Sequence, residues 1–263
     1  MSRVLVVSND PIADQMPGPA IRAWNLADVL STNHDVTLVS TVGCSRASTK
    51  FQCVSAEPGM RRSLERSADV ALITAGTLHE WPSLAGADAA IVVDIYDPYH
   101  LENLEAGLGG GPAERNSRVQ AMSTAINEHL RRGDYFLCAT ERQRDFWLGS
   151  LASIGRVNPY QYDVDPTLSS MLGIVPFGLP IDKPQRASAG LRNSIEGIGP
   201  DDKVVLWAGG VYNWFDPVTL VRAMAEVIDR VPDAKLVFLG MRHPNPAIPA
   251  MKAAVDAKEQ SDD

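Results

Sequence analysis

The segment Ala89–His100, AAIVVDIYDPYH, puts three side chains able to handle protons or hydroxyls, Asp94, Asp97 and His100, at the end of an apolar run. Carboxylates at the end of a buried strand bind sugar hydroxyls or act as acids and bases. Asp94 lies inside the run and is expected to make a structural hydrogen bond. Asp97, directly before Pro98, is the stronger candidate for chemistry, although Asp-Pro is also a common turn. His79 and Glu80 close the preceding apolar run and are expected to face the same crevice. Nothing in the spacing of His79 and His100 requires a metal, so no metal and no cofactor are expected.

Phosphate-binding candidates are glycines that follow apolar runs. Gly209–Gly210 ends Val204–Ala208, and missing side chains there permit backbone N–H contacts to a diphosphate. Gly18–Pro19 stands at the start of a predicted helix, where free N–H groups favour an anion. Both patterns are also ordinary punctuation in α/β chains. Tyr212, Asn213, Trp214 and Phe215 form an aromatic loop able to stack on a base or sugar, or to pack between domains. Glu141–Trp147, ERQRDFW, gathers Arg142 and Arg144 at a helix start, where they meet an anionic ligand or simply line a solvated face. GxGxxG is missing from the first loop, and GxSxG, Walker A and HExxH sequences are missing throughout. Dinucleotide enzymes, triad hydrolases and P-loop ATPases therefore have no motif behind them.

These residues need elements to hold them. Apolar runs recur at Arg3–Ser8, Asp35–Ser40, Lys50–Ala56, Asp69–Ala75, Ala89–Tyr96, Tyr135–Thr140 and Ile174–Phe177. Their nearly continuous Val, Ile and Leu content predicts parallel strands covered on both faces. Helical spacing predicts helices over Pro19–Leu30, Pro112–Arg132 and Asp216–Val231, the last capped by Asp216 with Pro217 behind it. Alternation of the two kinds means parallel α/β. The expected organisation is a Rossmann-like domain over residues 1–182, a linker over 183–200, and a partial second Rossmann-like domain over 201–263. Lys203–Gly240, with its strand–glycine–helix–strand order, is the core of that second part.

Composition sets the class. The chain has 263 residues, 45% hydrophobic and 21% charged, as in an ordinary globular protein. A formal net charge of −8 argues against a nucleic-acid partner, which calls for a basic footprint. Three cysteines without metal-ligand spacing predict free buried thiols and a reducing, cytoplasmic setting. No run approaches the ~18 apolar residues of a membrane-spanning helix; peripheral contact with a membrane surface stays open.

The segments RVLVVSND with MPGPAIRAWNLADVLSTNHDVTLVS, VVDIYDP, CATERQRDFWLG, IVPFGLP and WAGGVYNWFDPVTLVRAMAEV run in the order found in one family. Together they resemble the GT-B glycosyltransferases, specifically family 4, the retaining enzymes dependent on nucleotide sugars. The resemblance implies a GT-B fold of two Rossmann-like domains, the first binding the acceptor and the second the nucleotide-diphosphate sugar, without a metal. It implies a catalytic position near the transferred sugar for Asp97, and donor contacts at Gly18, Gly209, Gly210, Asn213 and Trp214. His79 and Arg22 fall on the acceptor side. The acceptor itself, whether glycan, lipid or small molecule, is left open. Many members place an Arg and a Lys-Gly pair after the glycine turn; here Tyr212–Asp216 stand there, as in a subgroup with a GG-x-Y-x-W-F-D-P loop. The family's two donor-binding glutamates, seven residues apart, belong to a later part of the second domain than this sequence reaches. Expected from this is a chain with little transferase activity by itself, or a sugar- or nucleotide-binding module without catalysis.

Overall fold

The computed structural model describes residues 1–106, 110–179, 183, 185, 190–192, 194–212, 215–240 and 249–261. In chain order the elements are β1 (Arg3–Ser8), α1 (Gly18–Leu30), β2 (Asp35–Ser40), β3 (Gln52–Ser55), α2 (Pro58–Ser67), β4 (Val70–Thr74), the single-turn α3 (Thr77–Glu80) with a 3-10 turn at Pro82–Gly86, and β5 (Ala90–Asp94). There follow α4 (Tyr99–Ala106), α5 (Pro112–Arg132), β6 (Tyr135–Cys138), α6 (Glu141–Ser153), the short α7 (Pro159–Tyr162), β7 (Leu172–Ile174), β8 (Lys203–Gly210), α8 (Pro217–Ile228), β9 (Ala234–Gly240) and α9 (Pro249–Ser261).

The protein is α/β, with a Rossmann-like sheet. Its seven strands lie in the order β3-β2-β1-β4-β5-β6-β7, and every neighbouring pair is parallel. The order reverses between β1 and β4, so their two following loops diverge and open a crevice at the carboxyl edge. Alternation along the strands sorts side chains onto two faces. Val4, Val6, Val36, Leu38 and Leu72 share one cluster with Ala20, Ala23 and Ala27 of α1. Leu5, Val7, Val39, Ile73, Ile91, Val93 and Phe136 share the other with Ile126 and Leu130 of α5 and Trp147 and Leu151 of α6. Both faces are thus covered, which is why these strands read as unbroken apolar runs.

The last strand of the sheet differs from the expected Ile174–Phe177. It is Leu172–Ile174, in register with Phe136–Cys138. Val175 still donates its N–H to Cys138 O at 2.7 Å, but β6 ends at Cys138 and Thr140 already caps α6, so the ladder has no further partner and stops.

The chain divides into two compact units, Met1–Leu101 with Asn116–Gly178, and Glu102–Arg115 with Leu179–Asp263. The segment Glu102–Arg115, within the range expected for the first domain, is grouped with the second. In that second unit β8 and β9 form a two-stranded parallel sheet, in register from Lys203↔Ala234 to Trp207↔Phe238. The expected strand–helix–strand order of Lys203–Gly240 is present. Asp216 caps α8, accepting from Thr219 N at 3.0 Å, and Val221 and Met224 are among its buried side chains. Much of the expected linker, 183–200, lies outside the described residues; its described part, from Gly190 onward, is turns and irregular chain. No helix among the described residues is long and apolar enough to cross a membrane.

Candidate functional site

Two adjoining cavities open at the carboxyl edge of the seven-stranded sheet. The larger, about 550 Å³, is lined by Asn9 after β1, Thr41 and Val42 after β2, Ala75 and Gly76 after β4, His79 and Glu80 on α3, Tyr99, and Ala121, Met122 and Ala125 of α5. The smaller, about 200 Å³, is lined by Asn9, Asp10, Pro19, Thr74, Ala75, Asp94, Tyr96, Asp97 and Tyr99. Asn9, Ala75 and Tyr99 border both. The site thus sits where β1 and β4 part, at the position that the strand order favours for ligands.

The loops forming it are tied down by buried polar groups. Asn9 Nδ2 donates to Thr74 Oγ1 at 3.3 Å, and Thr77 Oγ1 donates to Asn9 Oδ1 at 3.3 Å. The Thr74 and Thr77 hydroxyls are themselves 3.3 Å apart. Ser8 Oγ and Ser40 Oγ both donate to Asp10 O, at 3.0 and 2.9 Å, which joins the ends of β1 and β2. The loop after β4 turns at Gly76, whose φ of 101° is a backbone region that side chains disfavour.

His129 secures that turn from beneath. It lies on α5, is fully buried, and its Nε2 accepts from Gly76 N at 3.1 Å and Leu78 N at 3.0 Å. Its Nδ1 is 2.7 Å from Ala125 O. A carbonyl only accepts, so Nδ1 carries the proton and the ring is neutral. Burial pushes the His129 pKa down, against smaller opposing effects of the Ala125 carbonyl and the Glu128 charge. Two backbone donors, a left-handed glycine and a neutral imidazole therefore set where His79 and Glu80 stand.

The charges at the edge are unevenly committed. Arg22 of α1 meets Asp94 through Nε at 2.5 Å and Nη2 at 3.0 Å, with the side chains 4% and 2% exposed. Its guanidinium also lies 5.0 Å from the Tyr96 ring and 4.9 Å from the Phe177 ring. Asp94 points to the face of the sheet covered by α1, so a carboxylate inside an apolar strand finds its partner there. Burial pushes the Asp94 carboxyl above its usual range, and Arg22 pulls it back. Burial likewise raises the Asp10 carboxyl and the Tyr96 phenol. The Tyr99 phenol is pushed up to about 12 by burial, then by the charges of Asp97 and Glu128. Tyr99 therefore keeps its hydroxyl proton at neutral pH.

The expected site residues fall as follows. His79 and Glu80 are exposed on the larger cavity, and Asp97 borders the smaller, with Asn9, Ala75 and Tyr99 joining them. Arg22, expected on the acceptor side, has the two nitrogens above committed to Asp94 in the interior. Asp94 makes the structural contact expected of it. His100 is not in the crevice: its ring stacks 5.9 Å from Phe146 and lies 6.0 Å from Trp147. Among the described residues no group of three His, Cys, Asp or Glu side chains could hold a metal. Arg144 donates to Thr167 O, as part of the wall between α6 and the chain before β7.

Gly18 is the first residue of α1, and a Cβ there would meet nothing within 4 Å. Gly209 has the same open surroundings. Gly210 does not: a Cβ would come within 2.9 Å of the Tyr212 ring. Both glycines belong to β8 itself rather than to a turn after it, beside a register irregularity between Trp207 and Gly210. Gly210 O accepts from Trp207 Nε1 at 3.1 Å. Asn213 and Trp214 lie outside the described residues.

Asn9, Gly76, Tyr99 and His129 were not among the expected site residues. For His129 one signal was present: it falls on the inward stripe of Val119, Met122, Ile126 and Leu130, where an aliphatic residue would be ordinary. Comparison with protein-family models and with curated proteins gave no match.

Proposed function

We propose that the first unit is the acceptor-side domain of a retaining, nucleotide-sugar-dependent glycosyltransferase of the GT-B, family 4 type, and that Lys203–Gly240 begins its donor side. The observation that carries this reading is the convergence of Asn9, His79, Glu80, Asp97 and Tyr99 on adjoining cavities at the switch point of the sheet. These are neutral or acidic groups rich in acceptors, on a chain of net charge −8. Such a lining suits a polyhydroxylated ligand, whose hydroxyls donate to carboxylates and imidazole and accept from amide and phenol. A cavity of this size takes one or two sugar rings.

In this reading His79 and Glu80 hold and orient acceptor hydroxyls. The Asp97 carboxylate, beside the smaller cavity, takes up a hydroxyl proton or supports positive charge on the sugar ring. Leaving-group charge is met on the donor side by backbone N–H groups near Gly209, where there is room for a diphosphate to approach. The partners are a nucleotide-diphosphate sugar and a hydroxyl-bearing acceptor.

Saturation-transfer NMR of the full chain with mono- and disaccharides, alone and with UDP- or GDP-hexoses, tests the proposal. Sugar contact that weakens at least about tenfold in His79→Ala and Glu80→Gln, the loss of roughly 1–2 kcal/mol of hydrogen bonding, supports it. Contact accompanied by glycosyl transfer with retained anomeric configuration establishes the enzyme; contact without transfer points to the binding module. Absence of contact by any sugar at millimolar concentration overturns the reading of this site.

A further inference from the structure

Outside the carboxyl-edge site, a pair of cysteines stands at the margin of the same sheet. Cys44 lies in the loop after β2, and Cys53 is on β3, the edge strand. Both are half-buried and carry free thiols. Cys44 N donates to Ser55 Oγ at 2.9 Å. Ser55 stands two residues beyond Cys53 on the same strand, so their side chains share one face of the sheet, and Cys44 is seated on that face. Both cysteines pack against the same apolar cluster, the one that includes α1 and Phe51.

The Cys44 thiol donates to Arg46 O at 3.4 Å. Burial, and then the neighbouring Cys44 thiol, raise the Cys53 pKa, against smaller lowering effects of the Ser48 backbone and the Arg46 charge.

We propose that Cys44 and Cys53 are a redox-sensitive pair that closes to an intramolecular disulfide and staples the loop after β2 to the edge strand. With oxidised glutathione as the oxidant, one cysteine thiolate attacks a glutathione sulfur, forming a mixed disulfide and releasing one glutathione thiolate. The second cysteine then attacks the protein sulfur of that mixed disulfide and expels the other glutathione. Two protein thiols are oxidised, one disulfide is reduced, and their two protons leave on two glutathione thiols. The staple acts on the functional edge, because Thr41 and Val42 of the larger cavity belong to this loop. Ile12 is already bridged to Cys44, with Ile12 N donating to Gly43 O at 3.0 Å. Closing the pair thus immobilises one wall of the cavity, whichever ligand that cavity takes.

Incubation of the full chain with oxidised glutathione, alkylation of the remaining thiols after denaturation, and peptide mapping by mass spectrometry decide it. The expected map joins the Cys44 and Cys53 peptides through a disulfide, with both alkylation sites lost together and Cys138 still alkylated. Cys138 serves as the internal reference because it is fully buried. Hydrogen exchange over residues 41–46 slows in the oxidised form. Cys44→Ser and Cys53→Ser each leave the other cysteine alkylated or carrying glutathione, with no linked peptide. Stable glutathione adducts on the wild-type pair, disulfides between chains, or full alkylation of both cysteines overturns the proposal, and the wild-type map suffices for this even if a variant fails to fold.

Discussion

The two compact units use the same strand–helix–strand grammar and reach very different degrees of enclosure. In the first, β1 buries five of its six residues, and both faces of the central strands are sealed by helices. In the second, every residue of β8 is exposed or half-exposed, with Val205, Leu206 and Leu239 among the exposed apolar side chains. The aromatic rings of Trp207, Phe215 and Phe238 supply its contacts, at centroid distances of 5.9 and 5.4 Å. A buried sheet can hold charged and polar groups in fixed positions at its edge, because low dielectric makes each unpaired group costly. An open two-stranded sheet imposes no such penalty. Fixed polar geometry therefore belongs to the first unit, and the glycines of the second offer room more than they offer geometry.

The sharpest way to break this contrast is to remove one carboxylate from each unit. Asp94→Ala leaves the Arg22 charge buried and unpaired, and urea unfolding should show a loss of about 3–5 kcal/mol. Replacing the pair together, Arg22→Met with Asp94→Leu, should recover most of it. Asp216→Ala removes only a helix cap and should cost about 1 kcal/mol. Equal costs for Asp94→Ala and Asp216→Ala would erase the distinction.

A smaller effect separates the glycines. Gly76→Ala forces a side chain into a left-handed turn, at about 1–2 kcal/mol. There is no steric clash to add, since the Cβ would lie 3.6 Å from Asn9 Nδ2. Gly209→Ala in the open strand should change stability by no more than about 0.5 kcal/mol. Thermal unfolding of the two variants compares them directly.

The third contrast is with pH. His129 has its pKa lowered in the folded state, so the unfolded chain binds the proton first as pH falls. Its contribution is fully present above the unfolded value of about 6.5 and is lost as pH drops towards the folded value, with a slope of at most about 1.4 kcal/mol per pH unit. His129→Gln, which can still donate and accept, should flatten that slope in the first unit. Hydrogen exchange at β1 and at β8, measured from pH 7 to 5, should show the His129-dependent change at β1 only.

The sheet was largely legible because its strands are buried on both faces. Arg3–Ser8 and Asp35–Ser40 were readable to the residue, whereas Ile174–Phe177 was displaced because the two residues preceding it, Leu172 and Gly173, complete the pairing with β6. The place of His79, Glu80 and Asp97 at the cavity-bearing edge was legible because they follow apolar runs, where a parallel sheet puts its edge. His129 could not: it acts through backbone groups some fifty residues upstream, and no local pattern encodes that distance. Arg22 and Asp94 were visible singly, but their pairing depends on which face of β5 meets α1. Gly209 and Gly210 resembled a turn after a strand because glycine is the usual punctuation, while here the bulged end of β8 extends through both.

The contacts among Asn9, Thr74 and Thr77 also fix a direction. Thr77 has one hydroxyl proton and gives it to Asn9 Oδ1, so the proton between the two hydroxyls must come from Thr74, which in turn accepts from Asn9 Nδ2. Donation therefore runs around the triangle in a single sense, each member giving once and receiving once. The polarity of this circuit is dictated by the amide, whose oxygen only accepts and whose nitrogen only donates. An Asn9→Asp chain, which can only accept there, cannot close it. The tips of β1 and β4 are thus locked by a one-way loop of protons, at the point where the two cavities share a wall.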